Sequence, residues 1–207
     1  MHHIINIRGT SGSGKSTLVR RLMEAHGPVT PLGSPKVQGY QCGPGLRVVG
    51  RYTTACGGCD GIKTQDEICA RVREYAQHGH VVFEGLLASG LHSRYRDLAR
   101  EMGGFTFAFL NTPLDVCLAR VVRRRFAKGN FEPLDPSQTV AKHKVVQRVA
   151  RYLEHDGFPV VWLPWPDPLP VLEAVLSSPL GTVRGCPPQV DVEPAAEVGE
   201  EAMAGSI

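Results

Sequence analysis

At Gly9 the chain passes from a run rich in isoleucine, HHIINIR (residues 2–8), into GTSGSGKS and then directly into KSTLVRRLMEAHG. The middle segment, Gly9 to Ser16, is G-x-x-x-x-G-K-[ST] without a mismatch. It stands between a predicted buried strand and a predicted helix, the setting a phosphate-binding loop requires. Glycines let the backbone curl until successive N–H groups face one anion. The helix N-terminus adds partial positive charge. Gly9, Thr10, Ser11, Gly12, Ser13, Gly14, Lys15, Ser16 and Thr17 are therefore the expected nucleotide-binding set. Lys15 is expected to reach the β- and γ-phosphates, and Ser16 to ligate Mg²⁺.

The rest of the chain alternates strand and helix patterns. After residues 28–46, rich in Pro and Gly and expected to be irregular, LRVVGR reads as a second strand, HVVFEG as a third, FTFAFLNTP as a fourth and FPVVWLP as a fifth. Each is short and apolar, as strands buried on both faces are. Thr64-Gln65-Asp66-Glu67 is a capping box that opens a helix with Ile68, Val72, Tyr75 and Ala76 on its apolar face. Leu18, Leu22 and Ala25 are expected on one face of the first helix. The alternation predicts a doubly wound α/β sheet, three layers deep.

The formal charge is +3 overall, but residues 179–207 carry a net −4, which leaves +7 over residues 1–178. A basic body with an acidic tail fits a polyanionic partner for the body. The domain is expected to span 1–178, with 179–207, short of large apolar residues, disordered. No apolar run approaches the ~18–20 residues that cross a bilayer. With no secretory pattern at the N-terminus, a cytoplasmic setting is expected.

Four further features bear on chemistry. Glu84 ends the third strand, where a carboxylate can hold Mg²⁺, directly or through water. Arg120, Arg123, Arg124 and Arg125 lead into FAKGNFEPLDP; Arg120 and Arg124 share a helical face, and Arg125 is expected to start the loop. Guanidinium groups there can stabilise the charge that develops on a phosphoryl group in transfer. The stretch GRYTTACGGCDG (residues 50–61) offers Asp60 as base or orienting carboxylate for an acceptor hydroxyl, with Glu84 as the alternative. Beside it, Arg51 is expected to hold a substrate phosphate and Tyr52 to stack on a base. The same stretch holds a C-x-x-C pair. Cys42, Cys56 and Cys59 with one more ligand would make a zinc site, but no second tight pair accompanies them, and the spacing disfavours zinc.

RGTSGSGKSTLVRRL, VVFEGLL and FLNTPLDVCLARVVRRR together resemble the P-loop nucleoside and nucleotide kinase superfamily, which includes thymidylate-kinase-like proteins and polynucleotide kinases, over residues 3–176. With GRYTTACGGCDGIKTQDEIC added, the chain resembles the bacteriophage 5-hydroxymethyluridine DNA kinases. The resemblance implies a five-stranded parallel sheet in the order 2-3-1-4-5 and a lid over residues 120–136. It implies ATP and Mg²⁺ as cofactors. It also implies transfer of the γ-phosphate to the 5-hydroxymethyl group of a modified pyrimidine in DNA, a step in thymidine hypermodification. Two alternatives stay open: a kinase acting on a free nucleoside, nucleotide or metabolite, and a nucleotide-dependent binding module without phosphotransfer.

Overall fold

The computed structural model describes residues 2–54 and 57–180. In chain order its elements are β1 (Ile4–Arg8), α1 (Lys15–Ala25), β2 (Val29–Leu32), β3 (Gly39–Cys42), β4 (Leu46–Val49), α2 (Gln65–Ala76), β5 (His80–Glu84), α3 (Leu86–Gly90), α4 (Ser93–Met102), β6 (Phe105–Leu110), α5 (Leu114–Phe126), α6 (Ser137–His155), β7 (Val160–Leu163) and α7 (Leu169–Ser177). A single 3-10 turn, Cys59–Gly61, lies between β4 and α2. The expected disordered tail lies, from residue 181 onward, outside the described residues.

The seven strands form one sheet in the order β2-β3-β4-β5-β1-β6-β7. From β4 to β7 all neighbours run parallel, and this part has the expected order. The sheet as a whole corrects the five-stranded expectation, because β2 and β3 extend it with antiparallel pairings. These two strands lie in the Pro- and Gly-rich stretch expected to be irregular. Both residue types have a place there. Pro31 lies in the outermost strand, a location in a sheet where a missing N–H is tolerated. At Gly39 a Cβ would meet the Tyr75 ring at 2.5 Å and the Val48 carbonyl oxygen at 2.6 Å, so only glycine lets β3 lie under α2.

Two apolar layers sandwich the sheet. Ile5, Ile7, Val48, Val82 and Leu163 pack with Leu18 and Leu22 of α1 and Leu172 of α7. Val49, Phe83, Phe107 and Phe109 pack on the other face with Ile68 and Val72 of α2, Leu98 of α4 and Leu153 of α6. Ala25 is exposed, and Val19 and Met23 are buried instead on the inner face of α1. Helix α2 begins as expected, with Thr64 Oγ1 accepting from the Glu67 N–H at 3.1 Å. Among the described residues no helix is long and apolar enough to cross a membrane.

The parallel core fixes where chemistry can happen. β1 and β5 are neighbours in register, with Ile7 opposite Glu84, so both strands deliver their carboxyl ends to the same edge. That edge is where open α/β sheets bind ligands.

Candidate active site

The loop after β1 is shaped by two left-handed glycines, Gly12 at φ 79° and Gly14 at φ 100°. A Cβ on Gly12 would lie 2.2 Å from the Cys117 carbonyl oxygen of α5, so the loop is wedged against that helix. Gly14 is the N-cap of α1, and the Leu18 N–H closes the first turn on its carbonyl at 2.9 Å. Thr112 Oγ1 donates to the Ser13 carbonyl at 2.8 Å and ties the loop to the end of β6. Gly9 and Thr10 form the back wall: the Gly9 N–H donates to Ser89 Oγ and the Thr10 hydroxyl to the Thr139 carbonyl. Ser11, Gly12, Gly14, Lys15, Ser16 and Thr17 face a cleft of about 740 Å³.

Lys15 is 8 % exposed, and its ammonium arches back to donate to the Gly9 and Thr10 carbonyls at 2.8 and 3.0 Å. Burial pushes its pKa down, while the negative charge of Glu84 opposes the shift. Glu84 is 1 % exposed and accepts from Ser16 Oγ at 2.7 Å. Burial lifts its carboxyl to about 7, against the pull of Lys15 and the Ser16 hydrogen bond. A hydroxyl and a carboxylate side by side at the mouth of a phosphate loop are hard oxygen donors, the chemistry that suits magnesium.

The GRYTTACGGCDG stretch closes onto this pair. The Gly57 N–H donates to Ser16 Oγ at 3.3 Å. Gly58, at φ 92°, lies so close that a Cβ there would sit 2.4 Å from Glu84 Oε1. Asp60, two residues on, lines the cleft, and its Oδ1 and Oδ2 both accept from the Leu86 N–H at the start of α3, at 2.9 and 3.1 Å. Lys15, Ser16, Glu84 and Asp60 thus meet in one cleft, drawn from β1–α1, the 3-10 turn and β5.

Basic residues form the opposite wall. Arg120, Arg123, Arg124 and Lys128 line the cleft. Arg120 donates to the Gly12 carbonyl at 3.2 Å, and its guanidinium lies over the Trp165 ring, 4.5 Å from the centroid. Beside this stacked pair opens a smaller side slot of about 80 Å³, lined also by Ser13, Thr17, Leu18, Leu110 and Pro164. Trp165 was not singled out from the sequence. Its signal was faint, an aromatic residue just past the last strand. Arg125 departs from expectation: it lies within α5 rather than starting the loop, and donates to Asn130 Oδ1 at 3.1 Å, bracing the loop that follows.

Two expected substrate contacts lie away from the cleft. Arg51 is turned toward the β2–β3 hairpin, donating through Nε to the Val37 carbonyl at 2.9 Å. Tyr52 is 8 % exposed and packs in the α1 layer, with its ring beside Tyr40 and under the Arg20 guanidinium. A buried ring has no free face for a base. The zinc set is corrected as well. Cys42 belongs to the α1 layer and Cys59 to the α2 layer, on opposite faces of the sheet, so the two cannot share an ion. Cys56 lies outside the described residues. Cys59 is a core thiol whose Sγ points to the Val49 carbonyl at 3.7 Å, and burial pushes its pKa well up.

A family model described as an AAA domain matches residues 4–155, and a 5-hmdU DNA kinase of Pseudomonas phage PaMx11 is 42 % identical over 168 residues, 76 % of this chain and 88 % of that protein. The chain belongs to this family, alongside the phage 5-hmdU DNA kinases. A second such kinase, from Pseudomonas phage M6, is 32 % identical over 188 residues, 84 % of this chain and 97 % of that protein. Among solved structures, a gluconokinase from Sinorhizobium meliloti 1021 aligns with a TM-score of 0.36 and 16 % identity, covering 74 % of this chain and 97 % of that one.

Proposed function

We propose that this chain transfers the γ-phosphate of ATP to the 5-hydroxymethyl group of 5-hydroxymethyluracil in DNA. The observation that carries the reading is the meeting of Lys15, Ser16, Glu84 and Asp60 in one basic-walled cleft, in a chain 42 % identical to a protein named for that activity.

The phosphates of ATP lie in the loop from Gly9 to Thr17, with Lys15 released from its two carbonyls to bind the β- and γ-phosphates. The nucleotide base lies toward the side slot, against the stacked pair of Arg120 and Trp165. Ser16 and Glu84 would hold a magnesium ion, which when bound would neutralise charge on the nucleotide phosphates. Asp60 orients the acceptor hydroxyl and takes its proton. The new bond joins the hydroxymethyl oxygen to the γ-phosphorus, the bond from that phosphorus to the bridging oxygen breaks, and ADP leaves. Arg120 and Arg124 stabilise the charge on the transferring group. Arg125 acts at one remove, by holding the loop after α5. Residues 120–136 are the lid of a domain that spans 1–178.

The test is a transfer assay with γ-labelled ATP across three acceptors: duplex DNA containing 5-hydroxymethyluracil, the same duplex with thymine, and free 5-hydroxymethyldeoxyuridine. Label is expected in the first alone. Label in the free nucleoside with DNA inert replaces the reading with a small-molecule kinase. ATP binding that Lys15→Ala abolishes, with no transfer to any acceptor, replaces it with a binding module.

A further inference from the structure

The segment that follows the basic wall of the cleft carries one feature to which the transfer step assigns no role. Phe126, the last residue of α5, is 48 % exposed, and Phe131, in the loop beyond it, is 73 % exposed. Their rings pair with centroids 5.7 Å apart and planes 41° apart. Burying one such ring is worth about 1.5–3 kcal/mol, so two left paired in solvent mark a surface that meets something apolar. We propose that Phe126 and Phe131 are a stacking wedge that engages the DNA helix as the target nucleotide is drawn out of it into the cleft. This rests on the reading of the chain as a DNA kinase.

Depth is the first argument. The groups that would hold the γ-phosphate lie on the cleft floor, with Glu84 1 % and Lys15 8 % exposed. A substituent at C5 of a pyrimidine projects only into the major groove of a duplex. An enclosed floor cannot reach it there, so the nucleotide must leave the stack, at a cost of a few kcal/mol in lost stacking and pairing. A planar apolar group offered to the gap recovers part of that cost, since stacking of a base on an aromatic ring is worth about 1–3 kcal/mol.

Placement and charge are the second and third. Ala127 and Lys128, between the two rings in sequence, line the cleft itself, so the pair stands at its mouth. Arg123, Arg124 and Lys128, close to the pair in sequence, line the same cleft, the charge that phosphates flanking an extruded nucleotide require. Across the cleft Leu86 lines the wall, and Leu87 beside it is 61 % exposed. The cleft is therefore bordered by apolar side chains on two sides and by cations on the α5 side. The loop that presents Phe131 is also built in advance. The Gly129 N–H donates to the Phe126 carbonyl at 2.9 Å, the Asn130 N–H to the Arg125 carbonyl at 3.0 Å, and Asn130 Oδ1 accepts from both Arg125 and the Glu132 N–H. A preformed loop presents the rings without first ordering itself, which favours binding.

The experiment uses the full chain, Phe131→Ala, Phe126→Ala/Phe131→Ala and Phe131→Trp, on two duplexes. In one, 5-hydroxymethyluracil faces adenine; in the other it faces an abasic site, so no pair has to break. The double variant is expected to lose about tenfold or more in kcat/KM on the paired duplex, the kinetic equivalent of a lost base–aromatic stack. Less than about threefold is expected on the abasic duplex, where extrusion is cheap. Phe131→Trp is expected to keep activity on both. Equal losses on the two duplexes would mean that the rings only close the lid over the cleft, against Leu87, and would overturn the wedge; so would no loss on either. A 2-aminopurine beside the target base reads extrusion without ATP: its fluorescence is expected to rise with the native chain and not with the double variant. A rise seen without any transfer sinks the kinase reading and leaves the wedge, whereas transfer without a rise sinks the wedge alone.

Discussion

Asp60 makes two hydrogen bonds to one backbone N–H and also faces the cleft, so its structural and chemical duties can be separated by substitution. Asp60→Asn keeps an oxygen acceptor for Leu86 and removes the base. Its thermal unfolding is expected to stay close to that of the native chain, while kcat in the transfer assay falls by roughly 10²–10⁴. A kcat within a few-fold of native would assign the proton to Glu84 instead. Arg8 poses a different problem. It is fully buried at the end of β1, caged by the rings of Tyr95, Phe107 and Phe109, and no carboxylate pairs with it among the described residues. Burial pulls its guanidinium down to about 9. It donates to Asn6 Oδ1 at 2.5 Å and to the Leu91 carbonyl at 2.9 Å, joining the strand below the phosphate loop to the turn between α3 and α4. Arg8→Met removes a costly charge but strands one buried acceptor, Asn6 Oδ1, while the Leu91 carbonyl lies on an exposed residue. Urea unfolding is expected to show a net loss of about 1–3 kcal/mol, the cost of one unsatisfied group left after the gain.

The parallel strands were legible as elements because each is a short, mainly apolar run; β1 is buried at all five positions, Asn6 and Arg8 included. The β2–β3 hairpin was not, since three of the four β2 residues are exposed and its Pro and Gly read as breakers. Helix α3 escaped notice because five residues are too few for a helical period to show. Within the site, the phosphate loop was legible from spacing alone. Tyr52 and Arg51 were misplaced because sequence adjacency to the loop does not fix the direction of a side chain once β4 has ended. The start of β5 carries a pH-sensitive joint with the start of β1. The His3 N–H donates to His80 Nδ1 at 3.0 Å, which requires a neutral ring at that nitrogen. Burial first, then the neighbouring His3, His2 and His26, lower the pKa of His80 below its ordinary 6.5. As pH falls through 6.5, the unfolded chain takes up the proton before the folded one, so stability is lost on acidification and regained above 6.5. The melting temperature is expected to drop between about pH 7 and 5, with a shallower drop in His80→Asn, whose amide oxygen can still accept from His3. An unchanged slope in that variant would place the titration elsewhere.

For the whole molecule, the +7 carried by residues 1–178 is the property that a DNA substrate would feel at a distance. Duplex binding is expected to weaken steeply with salt, and Lys128→Ala to lower the slope of log affinity against log salt by about one. ATP affinity should hardly change over the same range. Fluorescence anisotropy of labelled duplex at several salt concentrations checks both, and a salt-independent affinity would argue for a small acceptor. The three-layer plan could be anticipated from strand and helix alternation; the mixed seven-stranded sheet needed the structure. That extra hairpin has a consequence for how these molecules share a crowded solution. A sheet ending at β4 would offer neighbours a straight, apolar strand to pair with. Here the outermost strand is instead four residues long and largely solvated, with a proline as its third residue. Such an edge is a poor template for a further strand, so the hairpin works as a guard against edge-to-edge self-association.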